Sequence, residues 1–348
     1  MKKLVRTISL LAVTAGFLLP QIGQLNAQSN ALSITPRKDY TLRAGEVVND
    51  TLTITNTNRD SPLQLRLSVV DFTAQDETGT PQLLRGETTQ KTAWSLRDFI
   101  EMPEQVVVDA GATVQVPVVV RMGTEVGAGS YYSAIEYAAV NDIRDDQVNI
   151  SASGVTLMFV KVPGQAREQL NFLQFGAFIP DPGGTGGAFT GLFFNDRPKV
   201  LAYRLKNEGN IAEQPKAVIV VKNSGGKEMY VIQNANPKSQ IALLGQARRF
   251  DACISPETVQ QTTDNGVEID AVICGDTNFK PGRYTAELSV LYGENGNETR
   301  EITAKATFWY LPWWFVGLVV AGIGLAVGVG FYIVSRVKNY RGRKTRRR

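Results

Sequence analysis

The sequence has no histidine in 348 residues and only two cysteines. The first absence removes every triad that uses imidazole as its base and most hydrolytic zinc sites. A carboxylate pair or a Ser-Lys dyad needs no histidine, but no spacing in the chain resembles either, so the protein is read as non-catalytic and free of cofactors. With no histidine to complete it, a metal site built on the two cysteines is also disfavoured. Charge is missing too, from Ala306 to Ser335. That gap contains a dense apolar run, Trp313 to Val334, of 22 residues. As a helix it would be roughly 33 Å long, enough for a hydrocarbon core of about 30 Å.

Both flanks of this run suit a membrane. Trp309, Tyr310, Trp313 and Trp314 crowd one end, where amphipathic rings act as interface anchors. Arg336, Lys338, Arg341, Arg343, Lys344, Arg346, Arg347 and Arg348 follow the other. Positive charge marks the cytoplasmic side, and each such residue gains about 1 kcal/mol beside anionic lipid. The reading is a span over 309–335 and a cytoplasmic tail over 336–348. A tail of that length is too short to fold a signalling domain. Within the span Gly324 and Gly328 form a G-x-x-x-G, supported by Gly317 with Ala321 and Ala326 with Gly330. This is either a dimer face or the ordinary glycine content of such helices.

At the other end Lys2, Lys3 and Arg6 precede an apolar stretch, Ile8 to Leu19, and Leu25-Asn26-Ala27 ends in a small residue. These are the parts of a signal peptide over 1–27, cleaved after Ala27, with an uncleaved signal anchor as the alternative. The exported part keeps 26 of the 37 basic residues against all 33 acidic ones, a net charge of −7. No nucleic-acid surface is expected there. Cys253 and Cys274 both fall in it, where a disulfide can persist; two separate buried thiols are the alternative.

Between the ends, apolar and polar residues alternate in short runs broken by Gly, Pro, Asn and Asp. No ten-residue helical stripe precedes the span, although "TTQKTAWSLRDFI" could hold a short helical turn. The spacing predicts an all-β chain of two tandem immunoglobulin-like β-sandwiches, over 28–165 and 166–308. Two copies of one plan are visible. "DTLTITNTNRDSPLQLRLSVVDF" and "LAYRLKNEGNIAEQPKAVIVVKN" share a strand, an Asn-containing turn and a second strand. "GSYYSAIEYA" and "GRYTAELSVL" share Gly-x-Tyr and a period-two alternation, which makes Tyr131 and Tyr284 core or corner residues. Trp94 and Phe99 resemble a sugar-stacking pair, but packing at the edge of a core is the stronger reading. "DPGGTGGAFTG" lacks the Lys-Ser/Thr of a phosphate loop and reads as a hairpin tip. Asp71, Asp76 and Glu77, and Asp142, Asp145 and Asp146, match no calcium-loop spacing and read as solvated turns.

"LSITPRKDYTLRAGEVVNDTLTITNTNRDSPLQLRLSVVDF", "VVVDAGATVQVPVVVRMG" followed by "GAGSYYSAIEYAA", and "PGRYTAELSVLYG" followed by a strand, a span and a basic tail resemble the WxL-interacting proteins, membrane proteins of the bacterial cell surface. The resemblance implies peptidoglycan binding by the first sandwich and binding of another surface protein by the second. The cysteine pair and the insertion "PDPGGTGGAFTGLFFNDRP" depart from that pattern. The expected function is therefore a membrane-anchored extracellular binding or adhesion protein. The alternative is a chaperone-like assembly factor for exported proteins that works by strand addition. An envelope-polymer hydrolase is a distant third.

Overall fold

The computed structural model describes residues 32–86, 91–140, 153–181, 186–189, 193–262, 268–293 and 300–345, with side chains up to Arg336. The segment 1–27 expected to be a signal peptide, Asp142, Asp145 and Asp146, and the basic side chains from Lys338 onward lie outside the described residues.

Ten strands fold before the Pro163-Gly164 break: β1 (Leu32–Ile34), β2 (Arg37–Thr41), β3 (Val47–Asn56), β4 (Leu63–Ala74), β5 (Pro81–Leu84), β6 (Ile100–Glu101), β7 (Gln105–Val108), β8 (Thr113–Arg121), β9 (Gly129–Ala139) and β10 (Ser153–Val162). They form one sheet in the order β1-β3-β8-β6 and a second in the order β2-β10-β9-β4-β5, with β7 also paired to β4. The first strand region thus changes sheets at Thr35-Pro36, where proline ends one ladder. Leu52, Ile54, Leu65, Leu67, Val116, Val118, Ile135 and Tyr137 fill the space between the sheets.

Eleven strands follow: β11 (Leu170–Pro180), β12 (Gly187–Phe189), β13 (Phe193–Phe194), β14 (Val200–Asn207), β15 (Lys216–Asn223), β16 (Glu228–Ile232), β17 (Ala247–Cys253), β18 (Pro256–Thr262), β19 (Glu268–Cys274), β20 (Gly282–Tyr292) and β21 (Arg300–Tyr310). The second sandwich pairs β12-β11-β14-β17 with β13-β21-β20-β15-β16. β18 and β19 make a separate two-stranded hairpin. Two strands alone are marginal in water. The Cys253–Cys274 disulfide ties the hairpin's base back to β17. The sequence reading missed this hairpin because "PETVQQT" has no apolar alternation.

The repeat seen in the sequence has a structural cause. Gly129 and Gly282 open β9 and β20 with φ of 151° and 155°, a backbone that a Cβ disfavours. Two residues on, the Tyr131 hydroxyl donates to the Gly127 carbonyl at 3.0 Å and the Tyr284 hydroxyl to the Lys280 carbonyl at 2.8 Å, a tyrosine corner in each sandwich. Asn56 and Asn207 play matched parts in the two Asn-containing turns. Asn56 Nδ2 donates to the Ser61 and Val108 carbonyls at 2.9 and 3.2 Å. Asn207 Nδ2 donates to the Ile211 and Ala242 carbonyls at 2.7 and 2.8 Å. Both side chains are buried, so each closes a turn that water cannot reach.

α1 (Trp313–Thr345) follows β21 after two residues. Its stretch Trp313–Arg336 is long and apolar enough to cross a membrane, and none of it is buried against the sandwiches. Tyr310, expected among the interface anchors, is buried in the second core, and Trp309 and Tyr310 end β21 instead of opening the span. The reason is pairing: the run of residues in register with β20 continues to Tyr310, opposite Gly282. Trp313 and Trp314 are exposed on the first turn of the helix. Gly324 and Gly328 have open space over their Cα atoms. The "TTQKTAWSLRDFI" stretch makes turns, and no helix, among its described residues.

Candidate functional site

The two sandwiches are joined by more than the linker. Period-two alternation predicts that Tyr132 and Ala134 face solvent, because Tyr131, Ser133, Ile135 and Tyr137 face the core. Both are fully buried, in an apolar cluster with Phe72 and Leu243 whose partly buried rim includes Trp94, Phe159, Ile241 and Leu244. The outer face of the β2-containing sheet is thus covered by the second sandwich. Tyr132 sits among Phe72, Trp94 and Phe159 with ring centroids 5.0, 5.5 and 5.6 Å away. Trp94 therefore packs between the sandwiches, whereas Phe99 packs against the first core. Burial also drives the Tyr132 phenol well above its ordinary range.

Polar contacts fix the same junction. The hairpin tip between β4 and β5 reaches across to β17: the Arg249 amide donates to the Glu77 carbonyl at 2.7 Å, and Glu77 pairs with Arg204. Arg248 donates to the Ile241 and Thr78 carbonyls, both at 2.9 Å. Burial lowers the pKa of this guanidinium, and the nearby Asp76 carboxylate opposes that effect. Gly79 sits in a left-handed turn (φ 81°), and a Cβ there would run into the Arg248 side chain. On the far side of the junction the Ser130 amide donates to the Asn210 carbonyl at 2.9 Å, and the Ala212 amide to Ser130 Oγ at 2.8 Å. The linker joins this strap, since the Arg167 amide donates to Asn210 Oδ1 at 2.7 Å. The acidic residues near the tip have separate structural tasks rather than one shared point. Asp71 is buried and accepts from Ser133 Oγ at 2.8 Å and the Thr92 amide at 3.0 Å, while Asp76 accepts from the Thr78 amide at 2.9 Å.

A cleft of about 280 Å³ opens beside this locked junction, with Arg37, Asp39, Thr41, Phe159 and Lys161 on one wall and Ala212, Gln214 and Ile241 on the other. Its floor is set by β2. This strand runs parallel to β10 and is the last in its sheet, so one of its edges is open. The Leu157 amide donates to the Pro36 carbonyl and the Leu42 amide to the Lys161 carbonyl, so the even-numbered residues of β2 bond to β10. In a parallel ladder that leaves the backbone N–H and C=O of Arg37, Asp39 and Thr41 directed away from β10.

Side chains hold this edge in place. Asp50 on β3 accepts from Lys38 Nζ and from the Tyr40 hydroxyl, each at 2.8 Å. The Lys38 ammonium keeps the Asp50 carboxyl below its usual range, and burial with the adjacent Asp50 charge raises the Tyr40 phenol. On the cleft side Arg37 donates to Asp39 through Nε at 2.7 Å and Nη2 at 2.5 Å. The Arg37 guanidinium also lies 4.6 Å from the centre of the Phe159 ring. The cleft therefore combines an open strand edge, an aromatic wall and a planar cation. Such a set can take an extended peptide by main-chain pairing. Sequence reasoning missed the site because "RKDYT" looks like a loop, and the one available signal was a pair of aromatics, Tyr132 and Phe159, at outward strand positions.

No family model matches the chain, and no curated protein matches it in sequence. Solved structures that it resembles include the class 5 fimbriae chaperone CfaA, at 10% identity over 79% of this chain and 98% of that chain, with a TM-score of 0.38. The SafA pilin–SafB chaperone structure of Salmonella enterica matches at 12% identity over 78% of this chain and 95% of that chain, with a TM-score of 0.34. The CupB2 chaperone of Pseudomonas aeruginosa matches at 10% identity over 79% and 100% of the two chains, with a TM-score of 0.33. At these scores the likeness assigns neither partner nor activity; the chain itself is an all-β, tandem immunoglobulin-like protein with one apolar C-terminal helix.

Proposed function

We propose that this is a membrane-tethered binding protein whose two sandwiches face the outside and capture an extended segment of an exported protein along β2. One observation carries the reading: the open edge of β2 forms the floor of a cleft whose opposite wall belongs to the second sandwich. Locked sandwiches suit this role, since a preformed groove spares the entropy of ordering two mobile halves on binding. The basic tail directly after the span supports the orientation. The role is non-catalytic and needs no cofactor.

The test uses the full chain in lipid nanodiscs, exposed to a detergent extract of envelope proteins and, separately, to isolated peptidoglycan. Thr41→Pro deletes one outward N–H of β2 while sparing the ladder to β10. Stoichiometric retention of an exported protein by the parent chain, lost in Thr41→Pro at unchanged melting temperature, is the expected result. Equal retention by both would rule out the β2 edge. Sedimentation with peptidoglycan alone would replace this reading by the wall-binding one that the WxL-interacting resemblance implies.

A further inference from the structure

The insertion that precedes β14 returns to the start of the helix. Phe193 and Phe194 of β13 pair in parallel with Trp309 and Tyr310 at the end of β21. The Leu311 amide donates to the Phe194 carbonyl at 2.7 Å, and the Trp313 amide donates to Asn195 Oδ1 at 3.0 Å. Asn195 thus accepts from the first residue of α1 across 118 positions of sequence. An amide at a helix start has no partner inside the helix, so this contact satisfies it and fixes the helix to the insertion.

Phe194 turns inward and is buried against Phe308. Phe193 turns the other way. It is 66% exposed and stacks on Trp309 with ring centroids 6.4 Å apart, while Trp313 and Trp314 stand 74% and 60% exposed at the head of the span. Phe193 lies two positions before Asn195, which is at most roughly 7 Å of chain. The interfacial layer on each side of a bilayer is about 5–8 Å deep. An aromatic ring held that close to the first residue of a span falls within this layer.

We infer that Phe193, with Trp309, is a second membrane-interface anchor, donated by the β13 insertion, which sets the second sandwich at a fixed attitude on the bilayer. The occupant of this aromatic pair, exposed at Phe193 and half-buried at Trp309, is the interfacial layer of the membrane that holds α1. Continuity with the span through Asn195 and Trp313 is the reason to choose lipid over a protein partner. Asp196 and Arg197 beside the pair are exposed and opposite in charge, and Arg283 faces Trp309 in the β20–β21 ladder; an aromatic contact, unlike one made by Arg283, should persist in neutral lipid and in high salt. The inference rests on α1 spanning a membrane.

The experiment places a bimane label at Phe193→Cys, Val320→Cys or Val107→Cys of the full chain, in nanodiscs of phosphatidylcholine carrying nitroxides at the headgroup or deep in the acyl chain. The two native cysteines are bonded to each other and do not label. Val320 lies on the helix and Val107 on the first sandwich, both exposed. Expected is strong quenching at 193 by the headgroup nitroxide, at 320 by the deep one, and none at 107. Quenching at 320 with 193 as unaffected as 107 would overturn the second anchor and leave the span intact. An unquenched 320 would overturn the span, and the anchor with it.

Discussion

Leu243→Ala tests whether the two sandwiches are one rigid unit. Leu243 belongs to the second sandwich, is 6% exposed, and packs into the cluster formed by Phe72, Tyr132 and Ala134 of the first. Truncation removes three carbons, worth about 2.4 kcal/mol at about 0.8 kcal/mol for each buried carbon. A residual cavity adds to this, giving an expected cost of about 2–4 kcal/mol, within the range for buried Leu→Ala changes. That cost falls on the junction and not on either core, so its signature is loss of coupling. The parent chain in detergent micelles should unfold both sandwiches in one urea transition; the variant should show two. Trp94 stacks on Tyr132, so its emission should shift to the red in the variant before either sandwich unfolds. A loss below about 0.5 kcal/mol, with unchanged Trp94 emission and a single transition, would refute the locked junction, because a buried leucine cannot be that cheap to truncate.

Three further outcomes are expected. Reducing Cys253–Cys274, 21 positions apart, should lower stability by roughly 3 kcal/mol in the chain-entropy model, read as a drop in melting temperature with reductant; no drop would mean the β18-β19 hairpin unfolds independently. Tyr203→Phe should be neutral or stabilising by up to about 1 kcal/mol, because the hydroxyl is buried without a hydrogen-bond partner among the described residues and burial raises its pKa; a loss above about 1 kcal/mol in urea denaturation would show a partner. Glu287 is held down to about 2 from 4.5 by hydrogen bonds from Lys222 and then Lys305. A depressed carboxyl stabilises the fold above its unfolded pKa, so this contribution is complete above pH 4.5 and fades as pH falls toward 2. Glu287→Gln should flatten the melting-temperature profile across that window, and an unchanged acid limb would contradict the pairing.

The repeat, the tyrosine corners and the apolar span were legible in the sequence because each rests on local rules. A Gly-x-Tyr before a period-two strand needs only its own neighbours to build a corner, as Tyr131 and Tyr284 do through carbonyls four residues back. The charge-free run before Arg336 is likewise recognisable by composition alone as long and apolar enough to cross a membrane. Tyr310 shows where that reading fails: its aromatic ring beside a span resembles an anchor, yet pairing with Gly282 carries it into the core.

What the sequence determined by itself is an all-β chain in two similar halves, with one apolar segment long enough to cross a membrane and two cysteines placed to bond. Tertiary structure alone decided how the halves meet. Tyr132, Leu243 and Arg248 become a junction only when faces that are outward in each sandwich cover one another, and no periodicity within a strand records the burial supplied by another domain. The open edge of β2 and the Phe193–Trp309 pair have the same origin, since both depend on which strand lies last in a sheet. That choice is made by long-range pairing, whose partners lie more than a hundred residues apart in sequence.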